Sequence, residues 1–253
     1  MIGRKNEIKV LKDCLESSES QFIAVYGRRR IGKTLLVREA YAGRFTFLHT
    51  GLANVGMADQ LAAFRDALCE YGLADCDELH SWREAFGALK KLLMASKQEK
   101  KIVFIDEMPW MDTPRSGFVP ALEYFWNNWA AWEKNIVLVI CGSATSWIIK
   151  KVIRNRGGLH NRVTRQICLR PFTLRECEQY SRSRQFPFSR QEIIAVYMIL
   201  GGVPYYWSLL NGAESVAQNV DRLFFAPEGE LRLEFFSLYK SLFRNAAPHL
   251  KIV

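Results

Sequence analysis

Apolar residues fall into short continuous runs separated by longer amphipathic stretches. Gln21–Tyr26 (QFIAVY), Lys101–Ile105 (KIVFI) and Asn135–Cys141 (NIVLVIC) are rich in strand formers and too short for helices, so they predict buried strands. Arg44–His49 (RFTFLH) alternates and predicts a fourth strand, and Thr164–Leu169 a fifth. Between them, Lys33–Ala42 reads as a helix with Leu35, Leu36 and Ala40 as candidate apolar positions. Met57–Tyr71, Ser81–Ser96 and Phe118–Trp132 also follow a helical period. Strands alternating with helices predict an α/β fold, with a parallel sheet covered on both faces. From about Arg182 the pattern changes to short helices separated by Gly201-Gly-Val-Pro204 and Pro227-Glu-Gly229, which predicts a second, all-helical unit.

Composition narrows the class without choosing a function. The 253 residues are 49% hydrophobic and 24% charged, as in ordinary globular proteins, which excludes collagenous, low-complexity and largely disordered chains. No repeat is visible. The longest apolar runs, such as Ile136–Cys141, fall far short of the ~20 residues that span a bilayer. Lys5, Glu7, Lys9 and Lys12 interrupt any leader-like pattern, so a cytoplasmic protein without membrane contact is expected. The six cysteines lack CxxC spacing and are expected to be reduced and mostly buried. His49, His80, His160 and His249 show no metal spacing.

Charge is more informative. Lys plus Arg number 35 against 26 acids, and the stretch from Lys134 to Arg175 holds nine basic residues with no Asp or Glu. Without those nine the chain is balanced, so the whole excess lies in one segment. An anionic partner such as DNA, or an acidic neighbour packed on the segment, is the expectation.

The strongest chemical signal is Gly27-Arg28-Arg29-Arg30-Ile31-Gly32-Lys33-Thr34, which fits GxxxxGK[ST] between a predicted strand and a predicted helix that continues through Leu35. Its glycines let backbone N–H groups curl around phosphate oxygens, and the helix N-terminus adds positive charge. Lys33 is expected to reach the β and γ phosphates of ATP, and Thr34 to bind Mg2+. Next, Ile102-Val-Phe-Ile-Asp106-Glu107 would deliver a carboxylate at the C-terminal end of a buried strand. Asp106 is the second expected Mg2+ residue, and Glu107 is placed to take a proton from attacking water. Ser143, ending Val137–Gly142, either senses the γ-phosphate or caps the helix near Thr145. Among Arg154, Arg156 and Arg162, Arg162 is the candidate for an extra cation on the developing charge, against a solvated or nucleic-acid-facing role. Leu122, Phe125, Trp126 and Trp129 share a helical spacing that suits a core face better than a partner surface.

These motifs occur in one order: Ile2-Gly3-Arg4-Lys-Asn-Glu-Ile, Gly27–Thr34, Phe104–Glu107, Gly142-Ser143, Arg170-Pro-Phe172 and Gly201-Gly-Val-Pro204. In that order the chain resembles the archaeal-type ATPases of archaea and bacteria, a branch of the AAA+/STAND-like P-loop ATPases, from residue 2 to about 210. The resemblance implies an additional-strand core over residues 1–182, a helical lid over 183–225 and nucleotide held between them. Ile2, Gly3 and Arg4 look like the adenine-side loop, and Pro204 lies in what looks like the lid turn facing the base. The chain has Asn161-Arg162 where relatives commonly show Gly-Arg before the last strand. Residues 226–253 look like the start of a winged-helix continuation, so a homo-oligomer or a C-terminal effector domain is implied. The expected activity is Mg2+-dependent ATP hydrolysis driving a conformational switch, with ATP and ADP as ligands. A nucleotide-dependent DNA-binding regulator, using Lys134–Arg175 and turning over little, is the alternative. A P-loop kinase suits the acidic pair less well, because its acceptor is not water.

Overall fold

The computed structural model describes residues 1–74 and 76–234. Five strands form one parallel sheet: β1 (Gln21–Tyr26), β2 (Phe47–Thr50), β3 (Lys101–Asp106), β4 (Ile136–Gly142) and β5 (Arg165–Cys168), in the order β2-β3-β4-β1-β5. Strand β4 is inserted between β1, which leads into the glycine loop, and β3, which carries the acidic pair. That insertion defines the additional-strand type of P-loop fold.

Strands β3 and β4 are buried at every position, because helices cover both faces. On one face Phe22, Ala24, Val103, Ile105, Leu138 and Ile140 join a core with α3 (Met57–Glu70), α4 (Trp82–Ala95) and α5 (Phe118–Asn128). The alternate residues Ile23, Val25, Phe104, Val137 and Val139 are equally buried on the other. Helices α1 (Lys5–Glu16) and α2 (Lys33–Tyr41) pack on each other. In α2 the buried stripe is Leu36, Val37, Ala40 and Tyr41, whereas Leu35 faces solvent, so the expected apolar face is rotated by about one residue. The aromatic spacing in α5 is a core face: Leu122, Phe125, Trp126 and Trp129 are all buried.

Several boundaries differ from the sequence reading. Strand β2 starts at Phe47 rather than Arg44, because Ala42–Phe45 is a turn closed by Ala42 and Gly43 with φ of 49° and 71°. Helix α5 ends at Asn128, and Ala130–Trp132 tightens into a 3-10 turn. Short α6 (Thr145–Trp147) runs into a π-helical turn over Ile148–Ile153. Edge strand β5 is registered on β1 through Thr164, whose N–H donates to the Phe22 carbonyl and whose hydroxyl donates to Gln21 Oε1. The six cysteines are free; Cys14, Cys141 and Cys177 are buried, while Cys69 and Cys168 are exposed, fewer buried than composition suggests.

Contacts divide the chain into two compact units. The first holds Gly3–Arg28 and Lys33–Leu169; the second holds Ile2, Arg29–Gly32 and the chain from Arg170 onward. The break along the chain thus follows Leu169, ahead of the boundary expected at 182.

The second unit is helical: α7 (Leu174–Ser183), α8 (Arg190–Leu200), α9 (Pro204–Ser208) and α10 (Val216–Val220, continuing as a π-helical turn to Phe225). Capping boxes start three of these helices, at Thr173/Glu176, Ser189/Glu192 and Ser215/Gln218, and each cap is worth about 1 kcal/mol. Ile2 packs on its core of Phe172, Ile193, Val196, Tyr206, Trp207 and neighbours. The Arg170–Phe172 and Gly201–Pro204 motifs meet here. Phe172 N–H donates to the Gly202 carbonyl, and any Cβ at Gly202 would overlap the Phe172 carbonyl. Most of the expected unit over 226–253 lies outside the described residues.

Candidate functional site

Strand β1 ends at Tyr26, and the chain curls from Gly27 to Lys33, where α2 begins. Three residues of the curl have positive φ: Gly27 at 142°, Arg30 at 66° and Gly32 at 85°. A side chain at Gly32 would meet no neighbour, so glycine serves the backbone angle there rather than space. The opening N–H groups of α2 have no partner within the helix and offer an anion-binding terminus. Lys33 is buried, with Nζ 3.2 Å from the Gly27 carbonyl and 3.0 Å from that of Arg28. Its ammonium therefore sits inside the curl, tethered by bonds that phosphate oxygens could replace.

Sequence-distant residues then meet in a chain of contacts. Thr34 Oγ1 donates to Asp106 Oδ2 at 2.5 Å, and Asp106 Oδ1 accepts the Glu107 N–H at 2.8 Å. Glu107 Oε2 accepts from both the N–H and the hydroxyl of Ser143, at 3.3 and 3.1 Å. The helix-capping reading of Ser143 is thereby displaced: Ala144 holds the cap position, and the serine hydroxyl is spent on Glu107. Burial, reinforced by the neighbouring Asp106 charge, holds the Cys141 thiol well above its ordinary pKa, so it stays neutral beside the carboxylate.

Glu107 has a left-handed backbone, φ 44°, uncommon for a residue with a Cβ. Close packing fixes it. Gly51 N–H donates to the Asp106 carbonyl, and a Cβ at Gly51 would come 2.6 Å from the Glu107 carbonyl oxygen. A Cβ at Gly142 would come 2.6 Å from the Pro109 ring. Fully buried Gln60 accepts the Leu52 N–H and donates to the carbonyls of Leu52 and Trp110, stapling the loop after β2 to the turn after Glu107. Gly51, Pro109 and Gln60 were not anticipated. The signal for Gln60 was available: a polar residue on the same face of α3 as Leu61, Phe64 and Leu68.

The other expected site residues are more scattered. Arg28 and Arg29 are exposed and Ile31 is buried. Gly3 has φ 64°, and Arg4, nearly fully buried, lies 3.8 Å from Glu7. Pro204 opens α9. Arg154, Arg156 and Arg162 are exposed and form no side-chain hydrogen bond or ion pair among the described residues. Asn161 has φ 55°. Asn tolerates a left-handed angle better than most residues with a Cβ.

Residues 1–210 match the family described as an ATPase domain predominantly from Archaea. The chain belongs to that family. An uncharacterised protein of Methanocaldococcus jannaschii is 27% identical over 212 residues, covering 81% of this chain and 43% of its own length. This chain thus spans less than half of that curated relative. Among solved structures, a Walker-type ATPase of Pyrococcus abyssi superposes with a TM-score of 0.68 at 18% identity, over 95% of this chain and 76% of the other. The Aeropyrum pernix ORC2 protein, solved with ADPNP and ADP, gives 0.55 at 14% identity, over 83% and 61%. These likenesses show the P-loop ATPase fold. Among the described residues no cluster of three His, Cys, Asp or Glu could hold a metal, and no helix is long and apolar enough to cross a membrane.

Proposed function

We propose that this ATPase-family chain binds ATP with Mg2+ and hydrolyses it to ADP and phosphate, using the cycle to switch the position of its helical unit. The observation that carries the reading is the Thr34–Asp106 hydrogen bond, which joins two motifs 72 residues apart. A hydroxyl and a carboxylate in direct contact are the oxygen donors a hard cation prefers, so Thr34 and Asp106 fit Mg2+ and would hold it. When bound, Mg2+ would neutralise charge on the β and γ phosphates. Lys33 would exchange its carbonyl contacts for phosphate oxygens. Glu107 would accept the proton of the attacking water, with Ser143 orienting its carboxylate through two donated hydrogen bonds. Arg162 would add a cation to the γ-phosphate, offered to a neighbouring subunit. Gly3 and Arg4 would border the base. Phosphate release from ATP, compared between wild type and Lys33→Ala, tests the core of the proposal. Release should fall to background in the variant, and equal rates would sink the reading.

A second reading has its own observation. Lys150, Lys151, Arg154, Arg156, Arg162 and Arg165 are all exposed in the first unit, consistent with a contact to the DNA backbone. Glu123 of α5 accepts a hydrogen bond from Asn155 of this loop. Affinity for duplex DNA should then fall steeply between about 50 and 200 mM salt, and charge reversal at Lys150 and Lys151 should flatten that slope. Absence of binding at low salt would leave the segment as a protein interface.

A further inference from the structure

One residue of the glycine curl is held from the far end of the chain. Arg30 is the only non-glycine of Gly27–Thr34 with a left-handed backbone, φ 66°. Such an angle is costly for a residue with a Cβ and persists where its surroundings fix it. Within the second unit three contacts do so. Arg30 Nη1 lies 2.6 Å from Glu234 Oε2, in ion contact though outside hydrogen-bond alignment. The guanidinium lies over the Tyr205 ring, 4.4 Å from its centroid. The Tyr205 N–H points to the Arg30 carbonyl at 3.4 Å. Glu234 is itself buried, 7% exposed, and accepts the Tyr206 hydroxyl at 2.8 Å. A buried carboxylate is not left near an arginine by chance: without both partners its desolvation would be uncompensated.

We propose that Glu234 is a positioning residue for the phosphate loop. It fixes Arg30, and through Arg30 the left-handed bend that turns the loop's N–H groups toward an anion. A residue about two hundred positions downstream of the loop thus sets nucleotide affinity, and any event that withdraws Glu234 weakens it. The inference rests on reading Gly27–Thr34 as the nucleotide site.

The test is calorimetric titration of ADP with magnesium into the full chain. Glu234→Gln keeps the shape and removes the charge. Its affinity should fall about tenfold, in the usual range for coupled sites. Tyr206→Phe, which releases the second hold on Glu234, should give a smaller shift in the same direction and carries the test if Glu234→Gln does not fold. Arg30→Gly removes both the guanidinium and the backbone cost of positive φ, so in that background Glu234→Gln should change affinity by less than about twofold. Equal losses in both backgrounds, or no loss in a folded Glu234→Gln, would overturn the proposal. An Arg30→Gly protein that binds no ADP would also overturn it, because the guanidinium would then be a ligand. Lys33→Ala separates this from the underlying reading: if it still binds ADP at wild-type affinity, the loop is not the nucleotide site, whatever Glu234 does.

Discussion

The end of strand β3 and the arginine loop before β5 carry the two kinds of charge that a phosphoryl-transfer site needs, yet they are built in opposite ways. Asp106 and Glu107 are enclosed: Thr34, Ser143, Gly51, Gly142 and Gln60 fix their carboxylates or their backbone. Arg154, Arg156 and Arg162 stand exposed on turns; the loop is held by Leu159 in the core, by Asn127 on the Gly158 carbonyl and by Asn155 on Glu123, and no bond reaches the guanidinium groups among the described residues. A carboxylate that must hold a metal and aim a water works best preorganised, since no reorganisation is then needed at the moment of reaction. A cation offered to another molecule has to remain free until that molecule arrives. The contrast is the one the proposed roles require: acids that serve their own chain's nucleotide, and an arginine offered to a neighbour.

The largest effect should come from breaking the exposed side. If Arg162 completes the site of a neighbouring subunit, Arg162→Ala should lower turnover by roughly 10³- to 10⁵-fold. Mixing it with Lys33→Ala should restore part of the activity, because one protein supplies a usable site and the other the arginine. Two inactive proteins that co-assemble and stay inactive together would exclude a role in trans.

Next is the enclosed side. Glu107→Gln should retain nucleotide binding and lose about 10²- to 10⁴-fold in turnover, the range for removing a general base. Wild-type hydrolysis by that variant would show that another group takes the proton. Gly51→Ala probes the same turn through its packing. The added methyl would press on the Glu107 carbonyl, and overpacking of this kind costs about 1–3 kcal/mol. A lowered melting temperature with a matching loss of turnover is expected. An unchanged melt would mean that the turn yields, and the enclosure would be looser than its geometry implies.

The same contrast explains what could be read from sequence. The β1 loop and the β3 acids were legible because hydrophobic runs ending in Gly27 and Asp106 carry a local chemical signature. The resemblance implied an additional-strand core, and β4 falls between β1 and β3; the rest of the strand order came from the structure. Of what held Glu107, Gln60 left a trace as a polar residue on the apolar face of α3, whereas Gly51 acts through a close approach between strand ends that no local pattern encodes. Leu35 misled for a simpler reason: in a nine-residue helix, adjacent leucines at positions 35 and 36 leave the buried face ambiguous by one residue. The arginine loop gave composition but no geometry, and its one structural clue, the left-handed Asn161, emerges only from the backbone.

The smallest effect concerns the strand beneath the enclosed acids. His49 on β2 is 5% exposed, stacks on Phe47 and meets Phe64 edge-on, and its Nε2 has no partner among the described residues. Burial pushes its pKa down to about 4 from an ordinary 6.5. Between those values the unfolded chain takes up a proton that the folded chain refuses, so stability rises with pH across this window and is lost as pH falls from 6.5 toward 4. The full displacement corresponds to no more than about 3 kcal/mol. Carboxylates also titrate near the lower end, so the comparison must be with His49→Leu, which keeps the volume and removes the titrating group. Urea unfolding of both proteins at pH 7, 6, 5 and 4.5 should give free energies whose difference widens in favour of the variant as pH falls. Parallel curves would mean that His49 reaches water or a partner in the folded protein. The strand end would then tolerate charge beneath it, and the sharp division between an enclosed acidic site and an open basic loop would weaken.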